Sequence, residues 1–557
     1  MEVGKPQTAD RKIIVGVDFG TTYSGVAWAE NRNPSRRTCI TQWPVSSANK
    51  EGQSSDKVPT RIRYNGDKIE WGFSVPVNAP QPEVVDWFKL DLDPSTQAVG
   101  YNPSTEGARS GRNVDELVTD FISQLVDHLM YTLREKLGSG LVDSTPLQFV
   151  ITVPAIWSDL AKEKTKKACE QAMISVSEHH VHLVSEPEAA AIYALHDLDM
   201  NGLDAGDTIV VVDAGGGTVD LISYTILSTK PILEVQEAAP GSGALCGSTF
   251  LNMRFSKFLQ SKLGKEEGFD DEIMAEALDV FENKVKRQFA LNIEPDETYN
   301  IPVAGLANNK SLGISRGRFA LKASDVNKIF EPVVLEVIRL VKDQITASNV
   351  PVQAILLLCA DNAAPNAWQA IVQGAVLKGL AQSSPDCAVV KVENRKARKH
   401  YGTEWSVRWD EKSHGNLKSK RYWCGLDGCY KVRVMEWFST RGSTVSENDP
   451  YIATFVWTNP VSKGRIRKVK MTIYNDHLSR DAPLSRNDNV KMLSTVEADV
   501  NHIPENQLRR RKGCDDQWYY ELNCKIEAIY TSASTSYTLI YQNKFHQRFS
   551  TVTCEYV

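Results

Sequence analysis

Two aspartates of the sequence each follow an apolar run and precede a stretch of small residues. The run Ile13–Asp18 leads into Gly20–Thr22, and the run Ile209–Asp213 leads into Gly215–Thr218. In both copies a second strand-like run follows, and a gap containing glycine between two such runs predicts a β-hairpin. The copies are too far apart in the chain for a solenoid, so they predict two similar half-domains that face each other.

The residue types in these gaps suit the binding of a phosphate chain together with a metal ion. Glycine lets the backbone approach a phosphate closely, and successive N–H groups in a turn form a concavity for anions. Threonine hydroxyls add donors, and a carboxylate at each strand end can hold Mg²⁺ through waters. Two such hairpins could hold a nucleotide from opposite sides. The alternative is two ordinary hairpins with glycine turns, which the second copy makes less favoured.

Other nucleotide motifs do not fit the sequence. No G-x-x-x-x-G-K-[ST] occurs, and the glycine-rich stretch Gly241–Thr249 has neither the lysine nor the spacing of a P-loop. The same stretch does not match G-x-G-x-x-G. A dinucleotide-binding fingerprint is therefore not supported.

The composition is that of a globular protein of several domains. The chain has 557 residues, of which 42% are hydrophobic and 24% are charged, enough for two to four domains. The net charge of -5 argues against a nucleic-acid partner. No apolar run is long enough to span a membrane, and the first residues carry no apolar signal region. With ten scattered cysteines, which fit reduced thiols, we expect a cytoplasmic or nuclear protein.

Five segments, in order, resemble the 70 kDa heat-shock (DnaK-type) family. They are Val17–Ala27, Phe149–Asp159, Leu183–Leu195, Ile209–Leu221 and Ala370–Leu380. The first, third and fourth are highly specific in combination. The resemblance implies an α/β fold: a duplicated actin-like (ribonuclease H-like) ATPase domain, followed by a β-rich C-terminal domain. Trp157, Glu188 and Cys246–Ser248 look more like the divergent fungal and twelve-type animal branch.

The resemblance implies a role for each matched residue. Asp18 and Asp213 would order Mg²⁺, through water, together with the attacking water. Glu186 matches the catalytic acid and Lys89 the catalytic lysine. Water would attack the γ-phosphate, with positioning and charge neutralisation supplying most of the catalysis. The residues implied to bind ATP or ADP are Gly20, Thr21, Thr22, Tyr23, Gly215, Gly216, Gly217, Thr218, Asp220, Gly247, Glu282 and Lys286.

Alternative roles remain open for three of these features. Glu186 precedes Pro187 and could simply be an acid in the first turn of a helix. Lys89 lies in a weakly matched stretch and could be a solvated lysine. The segment Phe281–Phe289 resembles the helix that touches adenine, but it carries an extra residue, and a solvated helix face explains it equally well.

Periodicity divides the chain into an α/β part and a β-rich part. Helices alternate with strands through the first 380 residues, as in the amphipathic segment Asn113–Leu137. Short strand-like stretches follow the basic run Arg395–His400. We therefore predict a flexible N-terminus at 1–11, a two-lobed nucleotide-binding domain at 12–390 and a divergent β-rich domain at 391–557.

Two departures from the family pattern bear on function. The C-terminal part shows no acidic-leucine linker and no helical lid, so binding of client polypeptides or co-chaperones is open. After the strand Ala354–Cys359, the glycine turn and helix that flank adenosine in the family are missing, so either the segment near 359–368 is truly shortened or an exon of the gene is incorrectly assigned. We therefore expect weak ATP binding and poor discrimination between ATP and GTP.

Three functional hypotheses follow from these patterns. The main one is an ATP-binding, slowly ATP-hydrolysing heat-shock-like chaperone with Mg²⁺ as cofactor and no nucleic-acid or membrane partner. The second is an interaction protein that keeps the fold but is insensitive to nucleotide. The third, a small-molecule kinase of the same fold, is less favoured because no motif supplies a base for an acceptor.

Overall fold

The computed structural model describes residues 11–46, 54–76, 79, 83–93, 111–176, 178–197, 202–290, 292–359, 367–541 and 553–556. The predicted flexible N-terminus, 1–11, lies outside these residues except for Arg11. Most of the segment that the sequence predicts to be shortened, near 359–368, also lies outside the described residues, because residues 360–366 are not described. The chain divides into two compact units. One is Met1–Glu234 with Gly241–Lys391, and the other is Val235–Pro240 with Val392–Val557.

The first unit alternates strands with helices. Its strands are β1 (Ile13–Asp18), β2 (Tyr23–Glu30), β3 (Thr38–Cys39), β4 (Val58–Pro59), β5 (Arg61–Asn65), β6 (Lys68–Trp71), β7 (Val84–Asp86), β8 (Leu147–Val153), β9 (His179–Ser185), β10 (Thr208–Ala214), β11 (Val219–Ser228), the two ends of β12 (Leu233–Ala244, whose middle, Val235–Pro240, belongs to the second unit), β13 (Thr298–Pro302), β14 (Ile314–Ser315), β15 (Arg318–Lys322) and β16 (Ala354–Cys359). Its helices are α1 (Val114–Leu137), α2 (Ser139–Asp143), α3 (Asp159–Ala172), α4 (Glu186–Asp197), α5 (Thr249–Leu263), α6 (Asp271–Val280), α7 (Lys286–Gln288), α8 (Ala323–Ser348) and α9 (Ala370–Ser383).

Two mixed sheets of this unit repeat one arrangement of strands. In the order β3-β2-β1-β8-β9, β1 lies between antiparallel β2 and parallel β8. In the order β16-β10-β11, β10 lies between antiparallel β11 and parallel β16. Parallel neighbours require crossover connections, which the intervening helices provide. The duplicated α/β fold predicted from the sequence is therefore confirmed.

Helix boundaries follow the local sequence signals. The apolar stripe of α1 is buried from Leu117 to Leu133, because its members recur every three or four residues on one face. Asn113 and Glu116 form a capping box at its start. Ser158 caps α3 by accepting a hydrogen bond from the N–H of Ala161 at 3.2 Å.

Helix α9 packs tightly onto the first sheet and onto α4. A Cβ built on Gly374 would lie 1.8 Å from the carbonyl oxygen of Ala189 in α4, and one on Gly16 would lie 2.6 Å from that of Val372. Glycine is required at both positions because nothing larger fits between the backbones. The contact fixes β1, and therefore the aspartate at its end, against a buried helix.

The second unit is a β-sandwich. Its strands are β17 (Val390–Lys396), β18 (His400–Arg408), β19 (Tyr422–Cys424), β20 (Cys429–Ser439), β21 (Thr444–Val445), β22 (Tyr451–Pro460), β23 (Lys468–Asp476), β24 (Lys491–Asp499), β25 (Arg509–Lys512), β26 (Trp518–Tyr530), β27 (Thr535–Tyr541) and β28 (Thr553–Tyr556), with one short helix, α10 (Glu411–His414). The sheet β19-β20-β18-β23-β24-β28 and the sheet around β26 share one apolar core, to which Phe438, Phe455, Ile473 and Ile526 contribute. The predicted β-rich C-terminal region is confirmed. Among the helices of the described residues, none has the length and apolar character needed to cross a membrane.

Candidate nucleotide-binding site

The two aspartates occupy equivalent places in the two sheets. Asp18 ends β1 and lies opposite Gly25 in the β1–β2 hairpin. Asp213 lies near the end of β10, opposite Asp220 in the β10–β11 hairpin. Both central strands are buried along their length because each has neighbours on both edges and helices on its faces. Each aspartate is therefore held on a rigid strand where that strand reaches its turn.

The turns of the two hairpins touch each other. A Cβ built on Gly216 would lie 2.3 Å from Oγ1 of Thr22, and one on Gly217 would lie 2.5 Å from Oγ1 of Thr21. Glycine is therefore required at both positions of the second turn for the first turn to approach. The structure brings together the threonines and glycines that the sequence predicted to hold phosphate.

The loop before α5 closes behind the second glycine turn. The N–H groups of Gly247 and Thr249 donate to the carbonyls of Gly217 and Gly216, at 3.1 and 2.8 Å. A Cβ on Gly247 would lie 2.4 Å from the carbonyl oxygen of Gly216. Gly247 therefore sets the position of the turn by letting the two backbones meet.

Lys89 and Glu186 form a buried ion pair. Nζ of Lys89 lies 2.7 Å from Oε1 of Glu186, and the two residues are only 1% and 6% exposed. The same ammonium lies 5.5 Å from the ring centroid of Phe19 and 5.2 Å from that of Trp157, a cation–π arrangement. Lys89 is thus not a solvated lysine. Glu186 does begin α4, but its side chain pairs with a lysine from a distant part of the chain.

Asp18 has a cationic partner of its own. Nζ of Lys57 lies 2.6 Å from Oδ2 of Asp18, and Oγ1 of Thr152 donates to Oδ1 at 3.1 Å. Thr152 comes from β8, the parallel neighbour of β1. Both oxygens of Asp18 are therefore bound by donors inside the protein.

The remaining carboxyls crowd one another. Burial, followed by the charges of Glu186, Asp220 and Asp18, raises the pKa of Asp213 well above its usual value. Burial also raises the pKa of Asp220, although the Thr218 side chain and the N–H of Ala155, at 2.8 Å, oppose this shift. Burial raises the pKa of Glu186 to about 7 against the opposing charge of Lys89. Negative charge in this cluster is therefore incompletely compensated by the two lysines.

This donor set fits a hydrated Mg²⁺ ion. Within the described residues no group of three or more His, Cys, Asp or Glu side chains is arranged to bind a metal directly. Mg²⁺ keeps several waters and is typically held by one or two carboxylates together with substrate phosphates. Asp18 and Asp213 can supply those carboxylates. The raised pKa values of Asp213 and Asp220 show that added positive charge would be stabilised there.

The residues predicted near the base lie on a distorted helix. A π-helical turn, Phe281–Val285, separates α6 from α7, and such a turn is the form in which a helix takes up an inserted residue. Glu282 and Lys286 pair with each other, and Asn252 donates to Glu282 at 2.6 Å. The charge of Glu282 helps to raise the pKa of Tyr23, after burial itself. The helix therefore lies within electrostatic range of the first hairpin.

Sequence reasoning missed several residues of the site. Lys57 precedes β4 in a stretch without a motif, and only the structure shows that its ammonium reaches Asp18. Thr152 carried a usable signal, because it is a hydroxyl residue in the otherwise apolar run Phe149–Val153 next to β1. Trp368 packs edge-on against Tyr23, with ring centroids 5.5 Å apart, and nothing in the sequence indicated this contact.

Comparison with known proteins identifies the relatives of this arrangement. A family model described as "Hsp70 protein" matches residues 117–383. Heat shock 70 kDa protein 12A of Homo sapiens is 25% identical, over 74% of this chain and 75% of its own length. Heat shock 70 kDa protein 12B of Homo sapiens is 25% identical over 48% of this chain and 47% of its own. Chaperone protein DnaK of Mycoplasma mycoides is 27% identical over 60% of this chain and 50% of its own.

Two facing hairpins on duplicated sheets, each ending a central strand with an aspartate, define the actin-like class of nucleotide-binding domain. Over residues 117–383 the chain matches the Hsp70 family, and its relatives include the 12A and 12B proteins of the twelve-type branch.

Proposed function

We propose that the first unit binds Mg·ATP between its two hairpins and hydrolyses it slowly to ADP and phosphate. The main support for this proposal is that the two turns, Thr21–Thr22 and Gly216–Gly217, lie directly against each other beside a buried cluster of acids and lysines. Such a cluster is costly to bury unless it serves a charged ligand. The match of residues 117–383 to the Hsp70 family supports ATP and ADP as that ligand.

The chain's own side chains would orient water and bind the phosphates. Glu186 has a pKa of about 7, so near neutral pH it can accept a proton from the attacking water. Nζ of Lys89 lies 2.7 Å from Oε1 of Glu186 and holds that carboxylate in place. Lys89 would also add positive charge where the γ-phosphate would lie. Thr21, Thr22 and the turn N–H groups would bind phosphate oxygens. Bound Mg²⁺ would neutralise charge on the phosphates and orient water.

We propose further that this activity serves a chaperone-like role in the cytoplasm or nucleus. The relatives named chaperone proteins, and the β-sandwich of the second unit, support client polypeptides or co-chaperones as partners. We also expect weak recognition of the base, because the strand before the shortened segment lacks cover. This strand, β16, is the outermost of its sheet, and its Ile355 and Leu357 side chains are 49% and 54% exposed.

Calorimetric titration of the full chain tests the proposal. Mg·ATP and Mg·ADP should bind with one-to-one stoichiometry, and Mg·GTP should bind less than about tenfold more weakly than Mg·ATP, a difference of roughly 1.4 kcal/mol. A phosphate-release assay under single-turnover conditions should then show slow hydrolysis. If no heat of nucleotide binding is measured at several different temperatures, the alternative, an interaction protein insensitive to nucleotide, is favoured.

A further inference from the structure

Lys57 is a buried cation of the site to which the proposed hydrolysis assigns no role. Its residue is 7% exposed, and its Nζ atom lies 2.6 Å from Oδ2 of Asp18. A lysine is rarely buried without a charged partner or a ligand, because its ammonium is strongly hydrated in water. The position of this side chain therefore calls for a reason beyond packing.

The backbone around Lys57 directs its side chain to Asp18. Strand β4 pairs with β2 in a register that sets Val58 opposite Ser24, which brings Lys57 beside Gly25. A Cβ built on Gly25 would lie 3.3 Å from Cγ and 3.7 Å from Cε of Lys57. The aliphatic part of the lysine thus lies across the hairpin at its glycine, and Gly25 is the register partner of Asp18.

The ammonium group retains unused donors. A lysine has three N–H donors, and among the described residues the hydrogen bonds of Lys57 Nζ comprise a single one, to Asp18. Asp18 is also bound by Thr152 through its other oxygen. Lys57 therefore keeps free N–H donors beside the aspartate that ends β1.

We propose that Lys57 is a tethered cation of the nucleotide site, which anchors Asp18 and donates its free N–H groups to the terminal phosphates of a nucleoside di- or triphosphate. Its fixed charge would supply part of the neutralisation that Mg²⁺ would otherwise provide. This inference rests on the proposed function, and it adds that polyphosphate binding in this chain depends only partly on the divalent cation.

The test compares nucleotide affinity with and without the metal. Calorimetric titrations of the full chain with ADP and ATP are run in Mg²⁺ and in EDTA, for wild type, Lys57→Met, Lys57→Gln and Lys57→Arg. The wild type should keep binding in EDTA, with a Kd within about tenfold of its value in Mg²⁺. The loss of one charge-assisted contact in Lys57→Met and Lys57→Gln should weaken binding in EDTA by about 10- to 100-fold. Lys57→Arg should retain most of the wild-type affinity.

A matched control comes from another ion pair of the same unit, in which the carboxylate is buried and the lysine is half-buried. Lys378 Nζ lies 3.2 Å from Oε1 of fully buried Glu188, between α9 and α4. Lys378→Met should reduce thermal stability while leaving the ratio of the two Kd values unchanged. Circular dichroism and thermal melts confirm that each variant is folded. Lys57→Gln keeps a hydrogen-bond donor for Asp18, so it covers the case in which Lys57→Met does not fold.

The outcomes separate this inference from the proposed function. If the wild type binds Mg·ADP, and Lys57→Met or Lys57→Gln binds ADP in EDTA as tightly as the wild type does, Lys57 only neutralises Asp18 and the inference is wrong. If the wild type binds nucleotide in Mg²⁺ but loses it entirely in EDTA, the inference is also wrong while the proposed function stands. If the wild type binds no nucleotide in Mg²⁺, both are overturned.

Discussion

The two hairpins share a backbone plan but differ in the charges that surround their aspartates. Asp18 accepts a hydrogen bond from Thr152 and is paired with Lys57 at 2.6 Å. Asp213 lies opposite a second acid, Asp220, and its pKa is raised by burial and then by the charges of Glu186, Asp220 and Asp18. The first half therefore carries its own compensating cation, whereas the second half concentrates negative charge.

The difference shows how a duplicated fold can divide one task. The strand arrangement holds both carboxylates at the same position of their sheets, but the neighbours decide which one is stable without a ligand. A paired carboxylate contributes to folding, and a crowded one costs stability until a cation arrives. We therefore expect equivalent substitutions in the two hairpins to have opposite effects on stability.

The largest effect should come from Asp18→Asn. The substitution leaves Lys57 buried without a counter-charge, and breaking a buried pair in this way costs about 3–5 kcal/mol. Asp213→Asn removes a charge that the folded protein disfavours, so it should leave the free energy of unfolding unchanged or raise it. Urea denaturation of the two nucleotide-free variants measures both values.

The double variant Asp18→Asn/Lys57→Met is the control for this prediction. It removes both members of the pair, so most of the lost stability should return. Equal destabilisation by Asp18→Asn and Asp213→Asn would show that the two hairpins do not differ in the way their contacts indicate.

The next largest effect concerns hydrolysis in the second hairpin. Asp213→Asn should lower kcat by about 10²- to 10³-fold, the usual cost of removing one preorganised electrostatic group from an active site. The fold should survive, because the change alters charge and hardly alters volume. Single-turnover phosphate release measures the rate. A variant that releases phosphate as fast as the wild type would remove Asp213 from the proposed mechanism.

The sequence predicted the repeated plan but not the asymmetry. Both hairpins and the Ser158 cap could be predicted because glycine turns, strand runs and N-caps are local signals. The partner of Asp18 could not be predicted, because Lys57 is brought to Asp18 only by the pairing of β4 with β2. Ion pairs between distant segments depend on register and burial, which no local pattern encodes.

The same limit applied to the alternatives left open for single residues. Sequence spacing could not distinguish a solvated Lys89 from a buried one, but its ammonium is enclosed by Glu186 and the rings of Phe19 and Trp157. The extra residue expected in Phe281–Phe289 stays a prediction, and the π-turn at Phe281–Val285 is a form that could accommodate it. Nothing in the sequence indicated that turn.

A smaller effect is expected at Glu186, whose charge acts on Asp213 and is itself affected by Asp18. Glu186→Gln should lower kcat by about 10²-fold, the lower end of the range for a general base, with little change in the Kd for Mg·ATP. If Glu186 serves only to pair with buried Lys89 at the start of α4, turnover should be normal, and only the free energy of unfolding should fall, because Lys89 loses its counter-charge. A turnover assay beside a thermal melt decides between the two.

The smallest effect is a dependence of stability on pH without nucleotide. The pKa of Glu186 is raised in the folded state to about 7 from an ordinary 4.5, and that of Asp213 is raised as well. A carboxyl with a raised pKa binds protons more tightly in the folded state, so stability falls as pH rises between the two pKa values. From pH 6 to pH 8, Glu186 alone should reduce the free energy of unfolding by about 1 kcal/mol.

Comparison of wild type with Glu186→Gln at each pH isolates this contribution. The control is needed because burial lowers the pKa of His128 and of His182, and such histidines make the folded state more stable as pH rises toward 6.5. The contribution of these histidines cancels when the free energies of unfolding of the two proteins are subtracted at each pH. The decline from pH 6 to pH 8 should be smaller in Glu186→Gln than in wild type. Mg²⁺ with ADP should also reduce the decline in the wild type, because added positive charge stabilises the ionised carboxylates. A decline of equal size in both proteins would show that the crowding of acids around the second hairpin does not control its stability.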